Sequence, residues 1–357
     1  MPLMFQVRPE MLTAYGNVVD VHHTYAETAR SYVEKNTHLD TAALSLLDKL
    51  YQSHQKIVND VTTSLGQLRA VSLNSGAELR RAAIWYVENE NEHVRRLDDS
   101  YGRVTVSRAK EPRTTDEITE AEQPENKLAP PTIPDEYPDF TSLFSKISDR
   151  LSPSWYVAQV LEILHLTNPA DDLAKMIVGD WKAYARCAST WHNLAGFYGA
   201  VAHNIEVGNA ELDRSWQGNA ADACYDYFSK LAAKLRTIES KLENLGHRYT
   251  AVAIGVWKLA NSLAGLITGI QDDAVWIALE IAAGDATFET GVGPAALWSL
   301  AGVQCARLIE KYNKTVEGFT GLANLVEDAV AWFAAAANQV DPLAGERLPG
   351  HYDHPEV

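Results

Sequence analysis

Two histidines, His22 and His54, are the first side chains in the sequence whose type and position could support chemistry. Imidazole transfers protons and binds metals near neutral pH. Both histidines fall on the apolar stripes of amphipathic patterns, and no nearby cysteine or carboxylate cluster argues for a metal. His351 and His354 could bind a metal adventitiously, but a solvated tail explains them more simply. We therefore expect hydrogen-bonded interior histidines, no metal site and no cofactor.

The three cysteines, Cys187, Cys224 and Cys305, are too few for a disulfide scaffold. All three lie in helical patterns among alanines and aromatic residues, which favours buried thiols. One disulfide with one free thiol is the alternative if the protein works outside the cell. No Ser/His/Asp or Cys/His spacing, metal cluster or phosphate-binding loop is evident, so we expect no enzymatic activity.

The overall composition argues against one class of partner. The chain has 357 residues, enough for two or three domains, and its apolar content of 46% is typical of a globular protein. Its net charge of −16 argues against a nucleic-acid partner, because phosphate contacts need a basic surface. Residues 1–9 contain no basic region followed by an apolar core, so no secretory signal peptide is predicted.

Three helices are predicted in the first hundred residues. Apolar residues recur at helical spacing over residues 10–35 and from about residue 41 to 68. Asn74-Ser75-Gly76 is predicted to start a third helix, from about Ala77 to Ser100.

Tyr86 and Glu90 lie four residues apart on this third helix and therefore share a face. Glu90 stands where the apolar stripe expects an apolar residue. We therefore expect the pair to face a partner surface.

Residues 103–138 are predicted to form a linker, because they hold six of the 14 prolines among acidic and polar residues. Fully extended, a linker of this length reaches on the order of 115 Å, whereas a 25-residue helix is about 38 Å long. The linker therefore allows the parts before and after it to pack side by side.

The second half of the chain has the pattern of long helices. Short helices are predicted within residues 140–166, and a long helix from Asp171 runs to a corner around Trp216. A second apolar stripe follows that corner, which predicts an antiparallel helical hairpin. Residues 284–294 are predicted to form a loop, with a last helix from about Ala295 to Asn338.

These patterns together predict an all-α fold, an elongated helical bundle of long antiparallel helical hairpins. The expected domains are an N-terminal helical domain (1–102), the linker (103–138), a second helical domain (139–341) and a flexible tail (342–357).

The apolar stretch from residue 251 contains Gly265 and Gly269, whose spacing permits close helix approach in a membrane or in a soluble bundle. A membrane span needs about 20 nearly uncharged residues. Lys258 and Asn261 interrupt this stretch, and Asp272-Asp273 is predicted to end it, which favours a buried soluble helix over membrane insertion.

At the corner, a large aromatic residue is followed after one residue by a glycine, in Trp216-Gln217-Gly218. Gly218 allows a sharp turn, and Asp213 or Ser215 can cap the helix that follows. Trp216 has a large apolar ring with one N–H donor, so a side chain that plugs the end of the bundle is the simplest interpretation.

Taken together, these motifs resemble those of type VII (ESX) secretion substrates, the WxG-type superfamily that includes the PE and PPE proteins. The first hundred residues are similar to the EspC-type helical domain, through an entry like Val7-Arg8-Pro9-Glu10-Met11-Leu12 and a last helix like Ala77 to Glu90. Residues 170–250 look like the half that carries the WxG motif. The arrangement of two halves joined by an acidic, proline-containing linker is EspB-like.

In that superfamily a Tyr-x-x-x-Asp/Glu motif and the WxG corner form a composite export signal read by the secretion ATPase. The resemblance implies that Tyr86 and Glu90 lie beside Trp216 and Gly218, with Tyr86 stacked on the indole and Glu90 accepting an N–H. It further implies a virulence-associated protein, made in a bacterial cytoplasm and secreted folded, without a cleavable signal peptide. The implied partners are the secretion machinery, further copies of the chain in a ring or filament, and a secretion chaperone.

Two other functions remain open. Residues 251–303 could make the protein a membrane-active or pore-forming effector, and the chain could be the delivery part of a toxin. No α/β pattern follows residue 250, which argues against a complete toxin.

Overall fold

The computed structural model describes residues 6–40, 45–89, 117–135, 137–148, 154–287, 294–339 and 348–354. Within these ranges the regular elements are helical, apart from one isolated β-bridge between Gln6 and Gln217. The predicted all-α fold is therefore confirmed. In chain order the helices are α1 (Pro9–Asn36), α2 (Leu46–Glu88), a 3-10 turn (Pro124–Lys127), α3 (Phe140–Ser148), α4 (Ser154–Ile163), α5 (Pro169–Ile177), α6 (Trp181–Asp213), α7 (Asn219–Thr287) and α8 (Pro294–Gln339).

Helices α1 and α2 form an N-terminal hairpin, and the predicted break at residues 74–76 is wrong. Helix α2 runs without interruption through Asn74-Ser75-Gly76 to Glu88. Gly76 lies where the two helices cross, and a Cβ on it would be 2.6 Å from the carbonyl oxygen of Gly16. The glycine therefore serves the close approach of α1, and the described part of this domain has two helices, not three. The predicted helix end at Ser100 lies outside the described residues.

The predicted linker does not behave as a free spacer over its described part. Residues 117–135 lie against α1 and α6, with Ile118 in the core. The Asn204 side chain accepts hydrogen bonds from the backbone N–H groups of Ala121 (2.9 Å) and Glu122 (2.8 Å). The Tyr25 hydroxyl donates to Glu120 at 3.1 Å. This segment therefore helps to hold the two halves side by side, as its length allows.

The long helix predicted from Asp171 is interrupted. Helix α5 ends at Ile177, and α6 begins at Trp181 after Gly179, whose φ of +139° favours glycine. A Cβ on Gly179 would lie 2.9 Å from a methyl group of Leu47 on α2. The break therefore lets α2 approach closely, and Asp180 then caps α6 by accepting from the Ala183 N–H at 2.9 Å.

Helices α6 and α7 form the predicted antiparallel hairpin, and α7 continues far beyond it to pair with α8. The acidic pair Asp272-Asp273, predicted to end the apolar run, lies inside α7. Asp273 is tolerated there because the Lys311 ammonium on α8 lies 2.7 Å from its carboxylate. Pro294 is the first residue of α8, as predicted. Helix α7 runs to Thr287, so residues 284–287, predicted to start a loop, are helical, whereas residues 288–293 lie outside the described residues.

The larger core cluster contains side chains from α1–α3 and α5–α8, so both halves of the chain contribute to it. A smaller cluster lies at the end of the α7–α8 hairpin that is far from Trp216, where α4 packs against Ile270 and Ile277.

In the part of the chain that the structure describes, one helical segment, Asn219–Leu279, is long and apolar enough to cross a membrane. In its most apolar 18-residue window, 33% of the residues are buried.

Candidate functional site

The corner between α6 and α7 has the local geometry that its sequence predicts. The backbone N–H of Trp216 donates to the Leu212 carbonyl at 3.0 Å, which closes the last turn of α6. Gly218 has a φ of +135°, which a residue with a side chain rarely adopts, and α7 begins at the next residue. Of the two predicted caps of α7, Ser215 instead directs its hydroxyl back to the Leu212 carbonyl at 3.0 Å.

The chain entering α1 clamps this corner. Gln6 and Gln217 form an antiparallel β-bridge, in which the Gln217 N–H donates to the Gln6 carbonyl at 2.7 Å. The Arg8 N–H donates to the Ser215 carbonyl at 3.0 Å. The corner is thus fixed by backbone hydrogen bonds on both sides of Trp216.

Tyr86 and Trp216 meet at this end of the bundle. Their ring centroids are 5.8 Å apart at an interplanar angle of 72°, an edge-to-face contact and not a stack. Trp216 is 1% exposed and Tyr86 is also buried. Glu90 lies outside the described residues, and the indole N–H of Trp216 has no acceptor among the described ones.

The C-terminal segment covers both rings, so the prediction of a flexible tail is wrong for residues 348–354. The His354 imidazole lies over Trp216 at a centroid distance of 6.3 Å, nearly parallel to it, and contacts Tyr86 edge-on at 5.8 Å. His354 is therefore an interior residue and not a solvated one.

Two backbone N–H groups of this segment donate hydrogen bonds to side chains of α2, which holds the segment in place. The Tyr352 N–H donates to the Ser75 hydroxyl at 2.9 Å, and the His354 N–H donates to the Glu78 carboxylate at 3.2 Å. The Tyr352 ring packs against Phe228 of α7. Ser75 and Glu78 are not among the predicted site residues, because their stretch has the pattern of a helix start. Their spacing of three, which puts two polar residues on one helix face, is the signal that the sequence offers.

Burial changes the interpretation of the motif. Trp216, Gly218 and Tyr86 are all buried, so their side chains do not form an exposed surface. The same end of the bundle exposes two apolar residues on the last turns of α2, Ile84 (58%) and Val87 (72%). Trp216 is thus a plug that shapes this end of the bundle.

The two seam histidines are interior residues, as predicted. Nε2 of His54 lies 2.7 Å from the Thr37 carbonyl oxygen, and Nδ1 lies 2.6 Å from the Tyr249 hydroxyl. Burial lowers the pKa of His54 to about 4, although the Thr37 carbonyl partly opposes this. Burial also lowers the pKa of His22 to about 3. Both imidazoles are therefore neutral in the folded protein.

The described cysteines carry no disulfide. Cys187 and Cys224 are buried, as expected, and Cys305 is half-buried. Burial raises the pKa values of the Cys187 and Cys224 thiols well above the usual range. These two thiols are therefore protonated and unreactive at neutral pH.

Comparisons of the chain with protein-family models, with curated proteins and with solved structures found no match.

Proposed function

We propose that this protein is a non-enzymatic substrate of a type VII secretion system, exported as a folded helical bundle. The observation that carries the proposal is the contact between Tyr86 and Trp216, two motif residues far apart in the sequence that meet at one end of the bundle. The positive φ of Gly218 supports it, because this backbone conformation accounts for the glycine in the Trp-x-Gly motif.

The buried position of Trp216 suggests how such a signal would be read. The secretion ATPase would contact the exposed end of α2, around Ile84 and Val87, together with Glu90. Trp216 and Gly218 would act by fixing the position of that surface. The Trp216 ring itself would become accessible only after residues 348–354 have moved away.

The experiment compares export of variants in a type VII-competent host. Tyr86→Ala removes the ring that contacts Trp216, and Glu90→Gln keeps the side-chain size. Glu88→Gln is the matched control for Glu90→Gln, because Glu88 is exposed, lies two residues away and is outside the motif. The motif implies that Glu90 accepts a charge-assisted hydrogen bond, and losing it would cost about 1.5–3 kcal/mol. We therefore expect at least about tenfold less Glu90→Gln protein than wild type in the culture filtrate. Thermal melts of the purified variants establish that they fold. Wild-type export of both motif variants would show that the proposal is wrong.

Self-association after export is part of the same proposal. The exposed apolar residues at the far end of the α7–α8 hairpin offer a surface on which further copies could pack. Size-exclusion chromatography with light scattering, followed by negative-stain imaging, should show a ring or filament. If the protein is monomeric at all concentrations, the self-association part of the proposal is wrong, and the proposed export signal is not affected.

A membrane-active effector is the second candidate, supported by one observation. The far end of the α7–α8 hairpin exposes Trp276 (60%), Leu279 (53%) and Val303 (52%), within the apolar stretch 251–303. A dye-leakage assay with anionic vesicles tests it, using Leu279→Glu as the variant and Val87→Glu as the control. Leakage that Leu279→Glu abolishes supports this candidate, and no leakage between pH 5 and pH 7.5 removes it.

A further inference from the structure

Three side chains with metal-binding donor atoms meet on the outer face of the α6–α7 hairpin. His192 comes from α6, and Glu243 and His247 come from α7. Nδ1 of His192 lies 2.9 Å from Oε2 of Glu243, and Nε2 of His247 lies 3.4 Å from Oε1 of Glu243. One donor atom from each residue lies within 4.8 Å of the other two.

The helix geometry explains this arrangement. Glu243 and His247 are four residues apart, so they are neighbours on one face of α7. His192 reaches them across the hairpin because residue 246 is a glycine. A Cβ on Gly246 would lie 2.6 Å from Nε2 of His192, so the imidazole lies against the backbone of α7. Any side chain at position 246 would displace this ring.

An ordinary ion pair does not fully account for His192. Its Nδ1 atom is buried and makes no hydrogen bond, although the Glu243 oxygen is only 2.9 Å away, because the atoms are poorly aligned for one. In a metal site this nitrogen would instead act as a lone-pair donor to an ion that the Glu243 carboxylate also binds.

We propose that His192, Glu243 and His247 bind a divalent transition-metal ion of the zinc class. Two imidazoles and one carboxylate are a ligand set that zinc uses. Zinc–nitrogen distances of about 2.05 Å in a tetrahedral site place neighbouring donor atoms about 3.3 Å apart. The His192 and His247 nitrogens lie at similar distances, 2.9 Å and 3.4 Å, each from a different oxygen of Glu243. The partial exposure of Glu243 and His247 leaves a fourth position open to water.

The ion would act as a cross-link between α6 and α7. Its site lies 21 residues before the end of α6, which is about 32 Å from the Trp216 corner along the helix axis. The inference therefore stands apart from the proposed export function. The sequence does not predict this site, because only the Glu243–His247 spacing is visible in it, whereas His192 joins the pair through the hairpin.

Isothermal titration of the full chain with zinc chloride at pH 7.5 is the first test. We expect one ion per chain, and His192→Ala or His247→Ala should each raise Kd by at least about tenfold. His203→Ala is the matched control, since His203 also lies on α6 beside a glutamate, with Nδ1 3.9 Å from Glu206. This control should bind zinc like the wild type.

Cobalt(II) provides a second readout that depends on coordination. The wild type should develop the intense visible absorption of a tetrahedral site, and His247→Ala should lose it while its circular dichroism stays unchanged. His247 is 68% exposed, so its replacement should leave the fold intact. No saturable zinc binding by the wild type, or equal affinity in the wild type, His192→Ala and His247→Ala, would overturn the proposal and leave an ion pair only.

Discussion

Neutral buried histidines should make the folded protein lose stability in mild acid. The Thr37 carbonyl can only accept, so Nε2 of His54 carries the proton and Nδ1 accepts from the Tyr249 hydroxyl. Protonation of Nδ1 would remove this acceptor inside the core. His22 lies equally deep, next to Asn204 of α6. Both histidines lie between the N-terminal hairpin and the α6–α7 hairpin.

The magnitude follows from the pKa values. An imidazole in the unfolded chain has a pKa of about 6.5, and burial lowers the pKa to about 4 for His54 and about 3 for His22. Below pH 6.5 the unfolded chain therefore binds more protons than the folded one. The stabilisation is complete above that pH and is lost as the pH falls toward the folded values. From pH 7.5 to pH 5, the free energy of unfolding should fall by about 2 kcal/mol for each histidine.

Urea denaturation followed by circular dichroism at pH 7.5 and pH 5 measures this loss. His54→Gln and His22→Gln each remove one titrating group, so each variant should lose about 2 kcal/mol less than the wild type between the two pH values. His351→Gln, which replaces an exposed histidine, serves as the control and should lose as much as the wild type. If all four proteins lose the same free energy, the buried histidines are not the cause and the reasoning is refuted.

Three further predictions concern packing. Trp216→Ala should lower the free energy of unfolding by about 3–5 kcal/mol, measured by urea denaturation, because it empties the space of a buried indole; a loss below about 1 kcal/mol would contradict its role as a plug. Gly76→Ala should destabilise the protein because its Cβ meets the Gly16 backbone, whereas Gly66→Ala, with nothing within 4 Å, should stabilise the same helix by up to about 1 kcal/mol. Tyr352→Ala should release the C-terminal segment, which hydrogen exchange would detect as faster exchange at residues 352 and 354; unchanged protection there would mean that the Tyr352 ring does not hold the segment.

Heptad-like stripes predicted the helices because burial of an apolar face determines helix position more than any single residue does. Such stripes also predict the α6–α7 hairpin and its corner. The contact between Tyr86 and Trp216 is predicted by the family resemblance, because no local pattern relates residues so far apart in sequence.

The predictions were wrong where tertiary contacts determine the conformation of a glycine or of the C-terminal segment. Gly76 reads locally as a helix start, but its neighbour in space is Gly16. Gly179 shows the reverse case, since the apolar stripe runs through it while the backbone breaks to accommodate Leu47. Residues 348–354 are too short to show periodicity, and their order depends on acceptors that Ser75 and Glu78 provide from another helix.

The position of His354 over Trp216 also has a consequence for the timing of biosynthesis. The corner at Trp216 is synthesised 138 residues before His354, which covers it. At about 5–20 residues per second, this interval lasts about 7 to 28 s. During that time a nascent chain exposes the face of Trp216 that His354 later occupies, and a factor that binds this face would distinguish chains that lack residues 348–354 from chains that have them.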